Sequence, residues 1–181
     1  APNNARCSKT ITLAGCAVPA RKCIPWPDKR LRTVAAPVAE ITDEIRAIWA
    51  DMVETMDAMP GVGLAAPQIG VMLRLAVVDA SDKRGQAILM ANPEILDASA
   101  VLRDHDEASP NLPGMSAIIK RPRGVTVRFL NADGIWDRRD FVDIWATSVQ
   151  HQIDHLNGKM YFDRLSKVKR DMLLRRARKS K

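Results

Sequence analysis

His151 and His155 stand four residues apart in the segment Val149-Gln-His-Gln-Ile-Asp-His-Leu-Asn-Gly158. On a helix that spacing puts both imidazoles on one face, about one turn apart, where two ring nitrogens can ligate a single metal ion. Taken alone, a histidine pair at this spacing is only moderately specific for metal. In the hydrolytic zinc sites that use it, the residue after the first histidine is a glutamate that takes a proton from metal-bound water. Here that residue is Gln152, and a carboxamide has no proton that titrates in the working range. Gln152 can hold a water by hydrogen bonds but cannot serve as general base, which argues against hydrolysis of the usual kind.

A second segment, Gly61-Val-Gly-Leu-Ala-Ala-Pro-Gln-Ile-Gly70, offers main-chain chemistry. Gly61 and Gly63 flank one residue and let a ligand or a strand approach the backbone closely, while Gln68 supplies an amide with donors and an acceptor. As a phosphate loop the segment is weak, because no Lys-Ser/Thr follows it.

The elements that must position these groups are legible from periodicity and punctuation. Thr42 is placed to cap a helix with Asp43 and Glu44 in its first turn; Ile45, Ile48, Trp49, Met52, Met56 and Met59 follow at helical spacing until Pro60-Gly61 ends it. That Met and Trp stripe reads as core. Short β-like runs follow at Leu73 to Val78, Ala87 to Asn92 and Ala98 to Leu102. Val125 to Phe129, the turn Asn131-Ala-Asp-Gly134 and Ile135 to Val142 read as a hairpin. Asp143 or its neighbour opens a second helix through Leu156, and Gly158 stands where a C-cap glycine would stand. Strands clustered between two helices, without βαβ alternation, predict an α+β fold with antiparallel sheets.

With 181 residues, 46% hydrophobic and 27% charged, the chain has the make-up of a globular domain that folds without staples. Its apolar runs, such as Leu75 to Val78, fall far short of the roughly 18 to 20 residues that cross a bilayer, so no membrane-spanning helix is expected. Cys7, Cys16 and Cys23 are too few for a disulfide scaffold and imply a reducing compartment. The net charge of +7 is unevenly placed: residues 159–181 hold ten basic side chains against Asp163 and Asp171, leaving −1 for the remainder. Leu165, Val168, Met172 and Leu173 predict a helix in this tail, with an apolar stripe and a basic face. The basic face is either simply solvated or a surface for an anionic partner such as nucleic acid. Residues 1–22 form a separate extension without an acidic side chain, which reads equally as an organellar transit segment, a disordered extension or a foreign leader. Residues 23–166 then form the domain, and residues 167–181 a basic C-terminal helix.

Gly61 to Gly70 and His151 to Ser166 resemble the first and third signature motifs of the peptide deformylases, the metal hydrolases that remove the formyl group from the N-terminal methionine of nascent bacterial and organellar proteins. The likeness runs over about residues 24–178 and includes Pro27 to Val38, the Asn131 to Gly134 turn and the basic C-terminal helix. It implies a deformylase-like α+β fold whose antiparallel sheets surround a central helix carrying the histidine pair. It further implies a divalent metal (Fe, Zn or Ni), the N-terminal peptide of a nascent chain as ligand, and ribosome contact through the C-terminal helix. The location implied is the cytoplasm, or an organelle if the basic extension is a transit segment.

The family's second motif, Glu-Gly-Cys-Leu-Ser, falls on Glu107-Ala108-Ser109-Pro110-Asn111, with Leu112-Pro113-Gly114 fixing the register. The resemblance makes the cysteine the third metal ligand, and Ser109 in its place is a far poorer ligand than a thiolate. Position 110 should lend a backbone N–H to the oxyanion beside Gln68, but Pro110 has none. Losing one such donor costs about 100- to 1,000-fold in rate. Gln152 occupies the position of the general base. The expectation is a groove without its chemistry: Gly61, Val62 and Gly63, with Pro110, binding an extended peptide by strand addition, and residues near Val62, Ile119, Val149 and His151 lining a methionine pocket. His105, among Asp104, Asp106 and Glu107, is expected on a solvated loop, and Glu107 matches the family's glutamate without an assigned role. The rival reading keeps an active metal-dependent deformylase or related amide hydrolase with altered ligation; a third is a nucleic-acid protein acting through its tail.

Overall fold

Leu75-Ala-Val-Val78 is buried along its whole length, as a strand is when both faces of its sheet are covered. In the computed structural model, which describes residues 20–180, it is one of five antiparallel strands: β1 (Gly63–Ala65), β2 (Leu75–Val78), β3 (Ile88–Ala98), β6 (Gly124–Leu130) and β7 (Trp136–Val142). They pair in the order β1-β2-β3-β6-β7, and β4 (Leu102–Ala108) and β5 (Ser116–Pro122) form a separate two-stranded sheet. Alternate residues of β2 serve opposite faces. Leu75 and Val77 join Trp49, Met52 and Met56 of α1 (Asp43–Asp57), whereas Ala76 and Val78 join Val149 and Ile153 of α2 (Asp143–Leu156).

The expected α+β architecture, with its antiparallel sheets around a central helix, is present. Thr42 caps α1, its hydroxyl accepting from Ile45 N at 3.4 Å. Every residue of α2 from Ala146 to Leu156 is buried, including seven with polar side chains, among them His151, Gln152 and His155. Polar groups so placed must find partners inside the protein. The helix ends at Gly158, whose φ of +68° is one that glycine adopts freely.

The run Ala98 to Leu102 is not a strand. β3 instead continues past Asn92 and Pro93 to Ala98, because a register shift between Ala91 and Glu94 removes the need for a ladder N–H at the proline. The chain then turns and enters β4 at Leu102, so Asp104 to Glu107 lie on a strand rather than in a solvated loop. The C-terminal helix, α3 (Lys167–Lys179), is present as expected, but only part of the expected apolar stripe packs on the domain. Leu165, Leu173, Leu174 and Ala177 meet Leu31, Tyr161 and Phe162, while Val168 and Met172 stay 69% and 59% exposed.

Residues 1–19, with Cys7 and Cys16, lie outside the described residues, so most of the expected extension does too. Arg21, assigned to it, is bound to α1: its N–H donates to Thr55 Oγ1 at 2.9 Å and its Nε to Asp51 Oδ2 at 2.7 Å. No described helix is long and apolar enough to cross a membrane.

Candidate functional site

α2 brings the histidine pair to one face as its spacing demands, and the two Nε2 atoms converge to 3.1 Å. Their outer nitrogens have different surroundings. His151 Nδ1 lies 2.8 Å from Glu107 Oε2, which reaches it from β4. Glu107 also accepts two hydrogen bonds from Arg121 of β5, at 2.6 Å and 2.8 Å. Burial pushes the Glu107 carboxyl up, but the Arg121 and His151 hydrogen bonds outweigh it and hold the group at about 2. Arg121 is 1% exposed and also donates to Asp154 Oδ2 at 2.8 Å, and Asp154 in turn accepts from Arg164. A series of alternating charges, Glu107, Arg121, Asp154 and Arg164, therefore fixes the His151 ring from behind. His155 has no such support: among the described residues its buried Nδ1 has no partner, and complete burial, then the neighbouring His151 and Arg121, lower its pKa well below the usual imidazole value.

These partners assign the tautomers. Ionised Glu107 accepts a hydrogen bond from His151 Nδ1–H, so the His151 Nε2 lone pair accepts from His155 Nε2–H. For both Nε2 atoms to ligate an ion, the His155 proton must move to Nδ1, where it finds no acceptor.

Ser109, 2% exposed, follows directly after β4. Its hydroxyl donates to Asn111 Oδ1 at 3.0 Å and accepts from Gln68 Nε2 at 3.3 Å. Gln68 Nε2 gives its other proton to Asn111 Oδ1 at 2.9 Å, and Gln68 Oε1 accepts from Ala65 N at 2.8 Å. Asn111 Nδ2 then ties the network to Ile24 O and Gln68 O. Gln68, expected to hold an oxyanion, thus has both amide protons engaged, and Pro110 beside it has no N–H to offer. Among the described residues no group of three His, Cys, Asp or Glu side chains could hold a metal ion. Two imidazoles, one unsupported, and a hydroxyl committed to Asn111 do not fit a resident catalytic ion.

These groups border a cavity of about 580 Å³. Gly61, Val62 and Gly63 form one wall; His151, Gln152, Ser148 and Thr147 of α2 form the floor; Glu107, Ser109 and Pro110 close the far side, with His105 and Asp106 also contributing from β4. A Cβ on Gly63 would lie 2.5 Å from Ser148 Oγ and 2.7 Å from Gln152 Nε2, so any larger residue there must displace both side chains. The buried Gln152 Oε1 has no partner among the described residues. Among the described residues β1 is the outer strand of its sheet, with one edge unpaired and open to an added strand.

Of the positions around which a methionine pocket is expected, Val62, His151 and Ser148 beside Val149 line this cavity, whereas Ile119 and Val149 themselves do not. Ile119 is buried with Leu31, Met160 and Tyr161, and Val149 faces the large sheet. A larger open groove of about 750 Å³ over β3, β6 and β7 holds none of the site residues named from the sequence. Arg121 and Asn111, which hold the site together, escaped sequence reasoning. The signal for Arg121 was its phase, two residues from the buried Ile119 on one strand face; Asn111 carried none beyond its place in an altered motif.

A family model for polypeptide deformylase matches residues 20–171. The chain is 43% identical over 162 residues to a peptide deformylase from Afipia carboxidovorans, covering 88% of this chain and 95% of that protein. It is 41% identical over 164 residues to one from Rhodopseudomonas palustris, covering 88% and 94%. The crystal structure of a peptide deformylase from Legionella pneumophila superposes with a TM-score of 0.83 at 38% identity, covering 89% of this chain and 95% of that one. That of a peptide deformylase from Ehrlichia chaffeensis in complex with actinonin gives 0.84 at 32% identity, covering 91% and 99%.

Proposed function

The chain belongs to the polypeptide deformylase family, and from that premise we propose that it keeps the family's peptide groove while deformylation is lost or strongly impaired. The observation that carries this reading is Ser109: its hydroxyl replaces the thiolate ligand and is bound to Asn111 and Gln68 instead of facing an ion. Pro110 removes an oxyanion donor and Gln152 removes the base. Three separate roles are altered together, whereas the cavity, the free edge of β1 and the glycine at position 63 remain. The ligand on this reading is the N-terminal peptide of a nascent chain, held by strand addition in the cytoplasm, with the ribosome contacted through α3.

A second reading, a working metal-dependent deformylase or related amide hydrolase with altered ligation, draws on the convergent Nε2 atoms and on relatives that are named as deformylases. Metal content of protein purified without chelator, assayed with hydrolysis of a formyl-Met peptide, separates the two. We expect substoichiometric metal and turnover no higher than that of the His151→Ala/His155→Ala protein. Stoichiometric metal with turnover well above that control would establish the second reading.

A further inference from the structure

Gly61 and Val62 precede β1, and their carbonyl oxygens are held by groups at the far end of β2 and beyond it. Val62 O accepts from Asp79 N at 3.0 Å, one step past the last paired residues, Gly63 and Val78, and also from Ser148 Oγ at 3.0 Å. For Gly61 O the partner is a side chain: Arg84 Nη2 donates to it, while Arg84 Nη1 donates to Asp79 O at 3.0 Å. One guanidinium therefore bridges the end of β2 and the carbonyl where the β1·β2 ladder would otherwise stop. The planar fork of arginine suits this bridging of two acceptors, which a lysine cannot reproduce.

The loop that carries Arg84 is itself built for the task. Asp79, 1% exposed, accepts from Ser81 N at 3.0 Å, Ser81 Oγ at 2.5 Å and Gln86 N at 2.8 Å, closing the loop on its own carboxylate. Arg84 lies in the left-handed region with φ +57°, which a non-glycine residue holds only where its surroundings fix it. Arg84 is not among the residues lining the cavity, so its influence on a ligand is exerted through the main chain.

We propose that Arg84 is a positioning residue for peptide binding: by pinning Gly61 O from the β2 side, it fixes the bend at Val62 through which the chain enters β1, so that the free edge of β1 can receive a peptide strand. This rests on the peptide-groove reading. An unpinned strand must be ordered when the peptide arrives, and that ordering weakens binding. The effect falls on ligands that pair with the backbone and spares those that fill only the inner cavity.

The test compares two probes, an N-formyl-Met tripeptide and N-formyl-Met amide, on wild type, Arg84→Ala and Arg84→Lys, with hydrogen exchange at residues 61–63. In Arg84→Ala we expect tripeptide affinity to fall about tenfold, the order of one charge-assisted hydrogen bond, with the amide probe unaffected and exchange at residues 61–63 faster. Arg84→Lys should recover part of the loss, since it can satisfy one of the two carbonyls. Wild-type tripeptide binding matched by Arg84→Ala, or equal loss of both probes, overturns the clamp alone. A wild-type protein that binds neither probe overturns the peptide-groove reading, and this inference with it.

Discussion

Ser109 differs from cysteine in a single atom, and that atom decides which neighbours it keeps. A hydroxyl donates well to the Asn111 carbonyl, whereas a thiol is a weak donor and, as thiolate, a metal ligand. Ser109→Cys, Pro110→Leu and Gln152→Glu together are expected to restore metal binding and some deformylation, whereas no one of them alone restores deformylation; substantial turnover from Gln152→Glu alone would defeat the argument from Ser109 and Pro110. Glu107 makes a second prediction. Its carboxyl is held at about 2 against an ordinary 4.5, so the stability it lends is fully present above about pH 4.5 and is lost as pH falls through 2. Glu107→Gln leaves Arg121 buried with only Asp154 opposite and should cost about 3 kcal/mol at pH 7. Urea midpoints of the two proteins should converge as the pH drops from 7 toward 3; a constant gap would remove Glu107 from the acid response. At this scale the sequence was informative where spacing sets geometry, as for His151 and His155, and where a motif fixes register, as for Ser109, Pro110 and Gln152. It was silent on partners supplied from another strand, as Arg121 is, and on whether Gln68 keeps its amide protons free.

Among the elements, α1, α2 and the β6–β7 hairpin were legible because each carries both a period and a terminator: Thr42 and Pro60, Asp143 and Gly158, Asn131 and Gly134. β4 was not. Its sequence, Leu-Arg-Asp-His-Asp-Glu-Ala, looks solvated because the residue it turns inward is Glu107, buried on Arg121 rather than among hydrocarbons. β3 read short because Pro93 ends a strand unless a bulge absorbs it. The end of α2 allows a direct test of how tightly the elements interlock. A Cβ on Gly158 would meet Arg32 O at 2.6 Å, whereas one on Gly134, at a similar positive φ, would meet only Ile41 at 3.8 Å. Gly158→Ala should therefore cost about 3 kcal/mol in urea unfolding and Gly134→Ala about 1 kcal/mol. Equal costs would mean that the leading segment around Arg32 shifts freely away from α2.

Over the whole molecule, the charge that makes the chain basic is separated from the cavity: the excess lies in residues 159–181, and the remainder is close to neutral. α3 faces two ways. Leu173, Leu174 and Ala177 bind it to the domain, while Arg175, Arg176 and Lys179 are exposed on the side that also carries the exposed Val168 and Met172. Deleting residues 167–181 would remove both functions together, since Leu173 is part of the core cluster. Charge neutralisation separates them. Arg175→Gln/Arg176→Gln/Lys179→Gln is expected to leave tripeptide affinity unchanged and the melting temperature nearly so, because neither the packed face nor the cavity is touched and no anion is placed at the C-terminal end of the helix. Ribosome affinity should fall more than tenfold at low salt and depend less on salt, since each lost phosphate contact lowers the log–log slope by about 0.7 to 0.9. Unchanged cosedimentation with ribosomes across a salt series would remove α3 from that contact and leave its charge as ordinary solvation.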